Sequence, residues 1–470
     1  MSPAATVRSP RHLVATILSL LVSLPHLGHA QTTPAWGPAL DSAITTALAR
    51  TGTPGVQIAV VVDGQVVYER AQGLADAELR RPVTTQTLFR VGSVTKMITA
   101  AILGELVASG TLDLQAPIDR YVPELANRRV GRVTTHQLLT HTAGWLDHAV
   151  AYGRMGEGAL GEVMREVGDT LFFTEPGRVL SYSNPGFAMA GYVAERAGDG
   201  RFGTLAERRV LRPLGMTRST FRPLEVMTTD FAQGHLGGSG ERALVVRPFT
   251  ENTAQWAAGF LFSTAGELAR FATALMQGGE LDGRRVLAAS TVAQMTTGHQ
   301  VVPGDSVARY GYGLVIGSRN GARQWARGGA INGFDATVTM WPDRRSALVM
   351  LDNKSGGPMP EIEAVVRERV LGLPRPTPPT ATAPRAGTAT ERARVAGTYV
   401  QGATRVTITA DTDSLRFTQR GATATAVLVG EDRLRLLVPT GDPIELLLVR
   451  DTSGRVQYLH QGLRALARQP

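Results

Sequence analysis

Apolar and polar positions fall into blocks of different period along this chain, and the blocks predict its elements. Residues 41–50 carry helical spacing. Residues 56–61 and 65–70 are β-rich runs on either side of Asp63-Gly64, a two-residue turn signal, and predict a hairpin at the centre of an antiparallel sheet. Over 97–107 apolar residues recur at helical spacing with small residues between them. Residues 112–125 contain Pro117 and Pro123 and read as a loop with a short helix. A short helix over 134–141 opens onto the loop Thr142-Ala143-Gly144-Trp145. Residues 150–290 are mostly helical in period, with Gly and Pro breaks. Strand patterns return at 313–316, 336–341 and 346–351, and 361–371 reads as a helix. Strands at both ends with helices between them predict one sheet closed from the two termini, an inserted helical lobe and a cleft.

Beyond this unit the pattern changes. Residues 373–390 are rich in Pro, Thr and Ala and predict an extended linker between separately built units. Residues 391–470 show short alternating runs at 405–410, 414–419, 424–429, 433–439 and 444–450, divided by Asp, Gly and Ser turns. They predict a small all-β domain, a meander or barrel. At the other end, Arg8 and Arg11 precede an apolar run over 13–24 that is too short to span a membrane. Pro25 breaks it, and Gly28-His29-Ala30 is a small-x-small cleavage site. Residues 1–30 are therefore expected to be an export signal, the mature chain starting at Gln31 and residing in the periplasm or outside the cell. An uncleaved anchor is the alternative.

Composition narrows the chemistry. The net charge is +9, but the arginines are scattered singly, with no basic-aromatic patch, so no nucleic-acid partner is expected. The absence of cysteine excludes disulfides, a thiolate nucleophile and thiolate metal sites. The nine histidines form no ligand pair, so neither metal nor other cofactor is expected. Of 49 Lys+Arg, the only lysines are Lys96 and Lys354. Arginine does not give up its proton in a protein and lysine can. A lysine that resists this bias three residues after Ser93, one helical turn away, points to a site where deprotonation matters.

Three other stretches join Ser93-Val94-Thr95-Lys96: Tyr182-Ser183-Asn184; Arg327-Gly328-Gly329-Ala330; and Thr140-His141-Thr142 with Ala143-Gly144. Together they resemble the serine β-lactamase and penicillin-binding-protein superfamily, in its class C β-lactamase-like branch with its DD-peptidase and esterase relatives. Gly259-Phe260-Leu261-Phe262-Ser263-Thr264 adds to the likeness, which covers about residues 36 to 370. The resemblance implies an α+β fold of the β-lactamase/DD-peptidase type, here over residues 31–372. It implies a serine hydrolase in which Ser93 forms an acyl-enzyme and Lys96 and Tyr182 share the proton work. Asn184 would hydrogen-bond Lys96 and a substrate amide. The backbone N–H groups of Ser93 and Ala330 would form the oxyanion hole, and Gly328 and Gly329 would leave room for substrate beside the strand. Arg327 departs from the family pattern, where lysine or histidine is usual, and would grip a substrate carboxylate. His141 is expected to shape the loop at a helix end. The substrates implied are β-lactams or D-amino-acid peptides of cell-wall type, with small esters as the alternative. A non-catalytic binding protein is the rival from another class. The intact Ser93, Lys96, Tyr182 and Asn184 argue against it.

Overall fold

The computed structural model describes residue 1 and residues 34–470, except 149–151, 238–242, 356–358, 375–382 and 439–443. The expected export signal, residues 1–30, lies outside the described residues apart from its first residue, and 375–382 of the expected linker also lie outside them.

The strand Gly55–Val62 is buried at all but its last position because both of its faces are covered. Side chains two apart along a strand share a face. Val56, Ile58 and Val60 pack with Leu40 and Ile44 of the helix Gly37–Thr51 and with Ile362 of the helix Pro360–Val365. Ala59 and Val61 turn to the opposite face and join the main core. Each such Val or Ile contributes about 1.5–3 kcal/mol on full burial. Val62 pairs with Gln65, leaving Asp63 and Gly64 as the turn. Their φ values of 51° and 78° are the positive pair that a type I′ hairpin requires.

This strand sits within a nine-stranded antiparallel sheet. Its spatial order is Gln300–Val301, Arg309–Tyr310, Val315–Arg319, Ala322–Ile331, Phe334–Trp341, Ser346–Asp352, Gly55–Val62, Gln65–Asp76 and Arg81–Pro82. Val56 lies opposite Asp352, so the sheet is closed by strands from the two ends of the unit, with the helical lobe inserted between. The strand Ala322–Ile331 is invisible as alternation because Gly328 and Gly329 interrupt it. Its partner Val315–Arg319 reaches only to Ala326, so residues 327–331 present an edge that this strand does not cover. The helix Thr95–Ala108 is apolar on nearly all sides, as a helix wholly inside a protein must be. It packs against the helices Asn184–Gly198 and Trp256–Gly259.

The C-terminal strands form a closed eight-stranded barrel, each pairing with its successor and Tyr399 of the first with Arg468 of the last. Tyr399, Ile408, Leu415, Leu434 and Leu459 are among the side chains of its core. Thr388 caps the helix Ala389–Val395 with a Glu391 capping box, and Arg385 bridges Leu428, so the last residues of the Pro/Thr/Ala-rich stretch are tied to the barrel. The strand Val456–Gln461 escapes pattern reading because Tyr458, Leu459 and His460 are buried in succession. Leu459 faces the barrel core, and Tyr458 packs instead on Val179 of the hydrolase unit.

Candidate active site

The serine is placed by two glycines in backbone contact. Gly92 has φ 50°, and a Cβ there would lie 2.6 Å from the Ala330 nitrogen. A Cβ on Gly329 would lie 2.2 Å from the Val91 carbonyl oxygen. Only bare backbone on both sides lets the turn Gly92–Val94 sit against the strand Ala322–Ile331. Ser93 then stands at the entry to the helix Thr95–Ala108, where the first N–H groups have no intrahelical acceptor. Lys96 follows one turn later on the same face.

The structure brings Ser93, Lys96, Tyr182 and Asn184 together. The Ser93 Oγ lies 2.7 Å from the Tyr182 hydroxyl and 3.3 Å from Lys96 Nζ. Lys96 Nζ also donates to Asn184 Oδ1 at 2.7 Å and to the Ala258 carbonyl. Both of these oxygens can only accept. A neutral Lys96 amine has two hydrogens, and they hold those two. Its lone pair is then left facing the Ser93 hydroxyl. Tyr182 is fixed by the same logic: Arg327 donates an N–H to its oxygen at 2.9 Å, which leaves the other side of that oxygen for Ser93.

Burial and charge tune these groups. Lys96 is fully buried, and burial is the main reason its pKa falls from the usual lysine value to about 8, with the Arg327 cation adding to the fall. For Tyr182 burial opposes ionisation, but the cations Lys96 and Arg327 outweigh it and bring the phenol down to about 8. Tyr310 goes the other way: burial pushes it up to about 12, so it stays a neutral phenol that accepts from Arg327 at 2.9 Å. His141 is held well below the usual histidine range, first by burial and then by the cations Lys96, Arg327 and Arg464. Its Nδ1 accepts from the Ser183 backbone N–H at 3.1 Å, so the proton of the neutral ring is on Nε2, 3.0 Å from the Tyr310 hydroxyl. His141 itself sits at φ 58° just past the helix Thr135–Leu139. It shapes the loop, as expected, and orients the Tyr182-Ser183 segment.

Two expectations need correction. Arg327 was expected to grip a substrate carboxylate. Its guanidinium is instead turned inward and committed to protein oxygens: Nε to the Ser93 carbonyl at 2.9 Å and the two terminal nitrogens to Tyr310 and Tyr182. Gly329 was expected to make room for substrate. Its missing Cβ instead makes room for the Val91-Ser93 backbone, and it is Gly328 that is open, with nothing within 4 Å of where its Cβ would be. Arg327, Gly328, Gly329 and Ala330 all line the cleft with Ser93, Tyr182 and Asn184, in a cavity of about 690 Å³.

The cleft also holds residues that no motif announces. Leu463 and Arg464, from the barrel, line it. The Leu463 carbonyl accepts from the Tyr182 backbone N–H at 2.8 Å. Arg464 Nε donates to Asp147 Oδ2 at 2.6 Å, and Asp147 Oδ1 accepts from the Asn184 backbone N–H at 2.8 Å and from Asn184 Nδ2 at 3.0 Å. No local signal marks Asp147 or Arg464 in the sequence. Their meaning comes only from a contact across 317 positions of chain. Among the described residues no group of three or more His, Cys, Asp and Glu is placed to hold a metal ion.

Fold and cleft together define a serine hydrolase. The family model for beta-lactamase matches residues 40–372, and the chain belongs to that family. It is 30% identical over 314 residues to penicillin-binding protein 4 of Amycolatopsis lactamdurans, covering 64% of this chain and 81% of that protein. It is 37% identical over 194 residues to esterase EstB of Burkholderia gladioli, covering 38% of this chain and 49% of the esterase, about half its length. The crystal structure of SurE superposes with a TM-score of 0.75 at 28% identity, covering 93% of this chain and 98% of that one. A structure of SurE with D-Leu gives 0.74 at 26%, covering 93% and 99%.

Proposed function

We propose that this protein is an exported acyl-enzyme hydrolase of D-amino-acid peptides, with Ser93 as nucleophile. The single observation that carries the chemistry is the Ser93 hydroxyl set between Lys96 Nζ and the Tyr182 oxygen, each within reach of its proton. The neutral Lys96 amine takes the Ser93 proton as the oxygen attacks a carbonyl carbon. The tetrahedral oxyanion is stabilised by the backbone N–H groups of Ser93 and Ala330. Tyr182, backed by the Arg327 cation, relays the proton to the leaving amine. Water then enters the same geometry and releases the acid. Asn184 holds Lys96 through Oδ1.

The D-amino-acid class is supported by the likeness to SurE, which runs through both the hydrolase unit and the barrel and includes a structure holding D-Leu. β-Lactams are the related substrates, supported by the likeness to penicillin-binding protein 4. A small-ester activity is the second reading, favoured by the 37% identity to EstB over 194 residues. Export, to the periplasm or the medium, rests on the residues 1–30 pattern. Among the described residues no helix is long and apolar enough to cross a membrane.

The test is mass spectrometry of the mature protein after exposure to an acyl-D-Ala-D-Ala peptide, its L,L counterpart, a penicillin and a p-nitrophenyl ester. The expected result is an acyl adduct on Ser93 from the D,D-peptide that turns over, with no adduct from the L,L-peptide. An adduct from the ester alone would replace this reading by the esterase one.

A further inference from the structure

Resting on that reading of the site, the structure assigns a positioning role to the barrel: Arg464, acting through Asp147, sets which end of the Asn184 amide faces Lys96. The argument runs inward from the surface. Arg464 lies on the barrel strand Arg464–Arg468, with its side chain about half exposed at 49%, while the Asp147 side chain it meets is buried at 4%. Arg464 Nε and a terminal nitrogen both reach Asp147 Oδ2, each at 2.6 Å. That leaves Oδ1 for Asn184, whose backbone N–H and Nδ2 both donate to it. A side-chain amide is a donor at one end and an acceptor at the other, and a carboxylate can only accept. With Nδ2 committed to Asp147, Oδ1 must face Lys96, where it accepts at 2.7 Å. This is the acceptor that leaves the lone pair of a neutral Lys96 facing Ser93.

Asp147 therefore chooses the orientation of Asn184, and Arg464 holds Asp147 in place through two nitrogens on its outer oxygen. The groups that face this carboxylate are Arg464 from the barrel, the backbone and side chain of Asn184, and the Lys96 charge from the Ser93 helix. Without Arg464 its outer oxygen loses both of those donors, and the carboxylate is free to turn away from Asn184. A carboxylate that has turned no longer dictates the amide. The same barrel turn grips Tyr182 through the Leu463 carbonyl and sets the Arg464 guanidinium 5.0 Å from the Tyr182 ring centre. The hydrolase unit alone thus lacks the outermost member of the chain Arg464, Asp147, Asn184, Lys96, Ser93.

The experiment uses the full-length mature protein and the rate at which a fluorophosphonate labels Ser93, measured against pH, with kcat and KM for p-nitrophenyl acetate beside it. R464Q is expected to slow labelling by on the order of tenfold or more. It should lower kcat for the neutral ester with KM little changed. R464K should recover part of the rate. D147N should also slow labelling, because its amide can donate as well as accept and no longer dictates how Asn184 sits. R464Q in the D147N background should cost less than R464Q alone, since the two share the contact with Asp147. R464Q labelling at the wild-type rate at every pH would overturn the inference. So would a loss seen only as a raised KM for carboxylate-bearing substrates, which would make Arg464 a substrate ligand. Should R464Q fail to fold, R464K and D147N decide: a lowered kcat with KM little changed in both supports the inference, and wild-type labelling by both overturns it. Wild-type protein that fluorophosphonate does not label at Ser93 would instead bring down the proposed function.

Discussion

A lysine that must give its lone pair to a serine cannot be replaced by a group that keeps its proton. Lys96→Arg should therefore lose nearly as much activity as Lys96→Ala, read as kcat on a p-nitrophenyl ester. Retention of most activity by the arginine variant would leave Tyr182 as the sole base. The scarcity of lysine did not by itself find this residue. Lys354 is equally rare and equally buried, and its Nζ holds the Thr51 carbonyl. The neighbours distinguish Lys96, and three of them were legible: Ser93 by spacing, and Tyr182 and Asn184 by the family resemblance that their motif carries. The role of Arg327 was not, because sequence shows a cation but not the direction of its fork. Arg327→Ala should now harm neutral esters and carboxylate-bearing substrates alike, since it removes a donor to Tyr182 rather than to substrate. It also removes a cation that lowers both Lys96 and Tyr182. In the wild type these groups give up protons near pH 8, so activity should climb toward that pH and level off above it. In the variant both hold their protons longer, so the acid limb of kcat against pH should move to higher pH. A limb that stays put would mean that the cation is not felt at the site.

At the scale of elements, the decisive contact is between a helix entry and a strand, and it is made by absence of side chains. Gly329→Ala would drive a Cβ to 2.2 Å from backbone at Val91 that cannot swing aside. Overpacking of this kind costs about 1–3 kcal/mol. The variant should melt earlier and lose Ser93 reactivity together. Gly328→Ala meets nothing within 4 Å and should melt like the wild type while narrowing the cleft beside the strand. Thermal unfolding of the two variants side by side checks the contrast, and equal melting points would remove the claim that Gly329 seats the serine turn. The same glycines explain what pattern reading missed. They erase the alternation of the strand Ala322–Ile331, although the two strands that follow it, Phe334–Trp341 and Ser346–Asp352, were readable from their apolar runs. Where one strand faces two cores, as Val456–Gln461 does, there is no period of two left to see. The hairpin at Asp63-Gly64 was readable because its turn chemistry and its alternation agree.

Across the whole molecule the barrel and the hydrolase unit are joined where the chemistry is, which the Pro/Thr/Ala-rich stretch between them did not announce. A linker reports how two units are tethered, not which surfaces they share. Here the shared surface includes Val179 with Tyr458 and Ala465, and Thr174 Oγ1 lies 2.7 Å from the Tyr458 hydroxyl. Ser181 Oγ accepts from Gln401 Nε2 at 2.9 Å and from the Ala465 N–H at 3.1 Å. The next residue is Tyr182, whose own N–H is held by Leu463. Ending the chain after residue 390 would strip partners from Ser181, the Tyr182 backbone and Asp147 at once. Each buried polar group left without a partner costs about 1–3 kcal/mol. The sheet and its two faces are built entirely from residues before the linker, so secondary structure should survive. The truncated protein should therefore keep most of its circular dichroism, unfold at a lower temperature, and label at Ser93 far more slowly than the full-length protein. The loss should exceed that of R464Q, because the truncation also frees the segment that carries Tyr182. A truncated protein that labels at the full-length rate would show that Ser181, Tyr182 and Asp147 hold their places unaided. The barrel contacts would then be a consequence of the ordered site and not one of its causes.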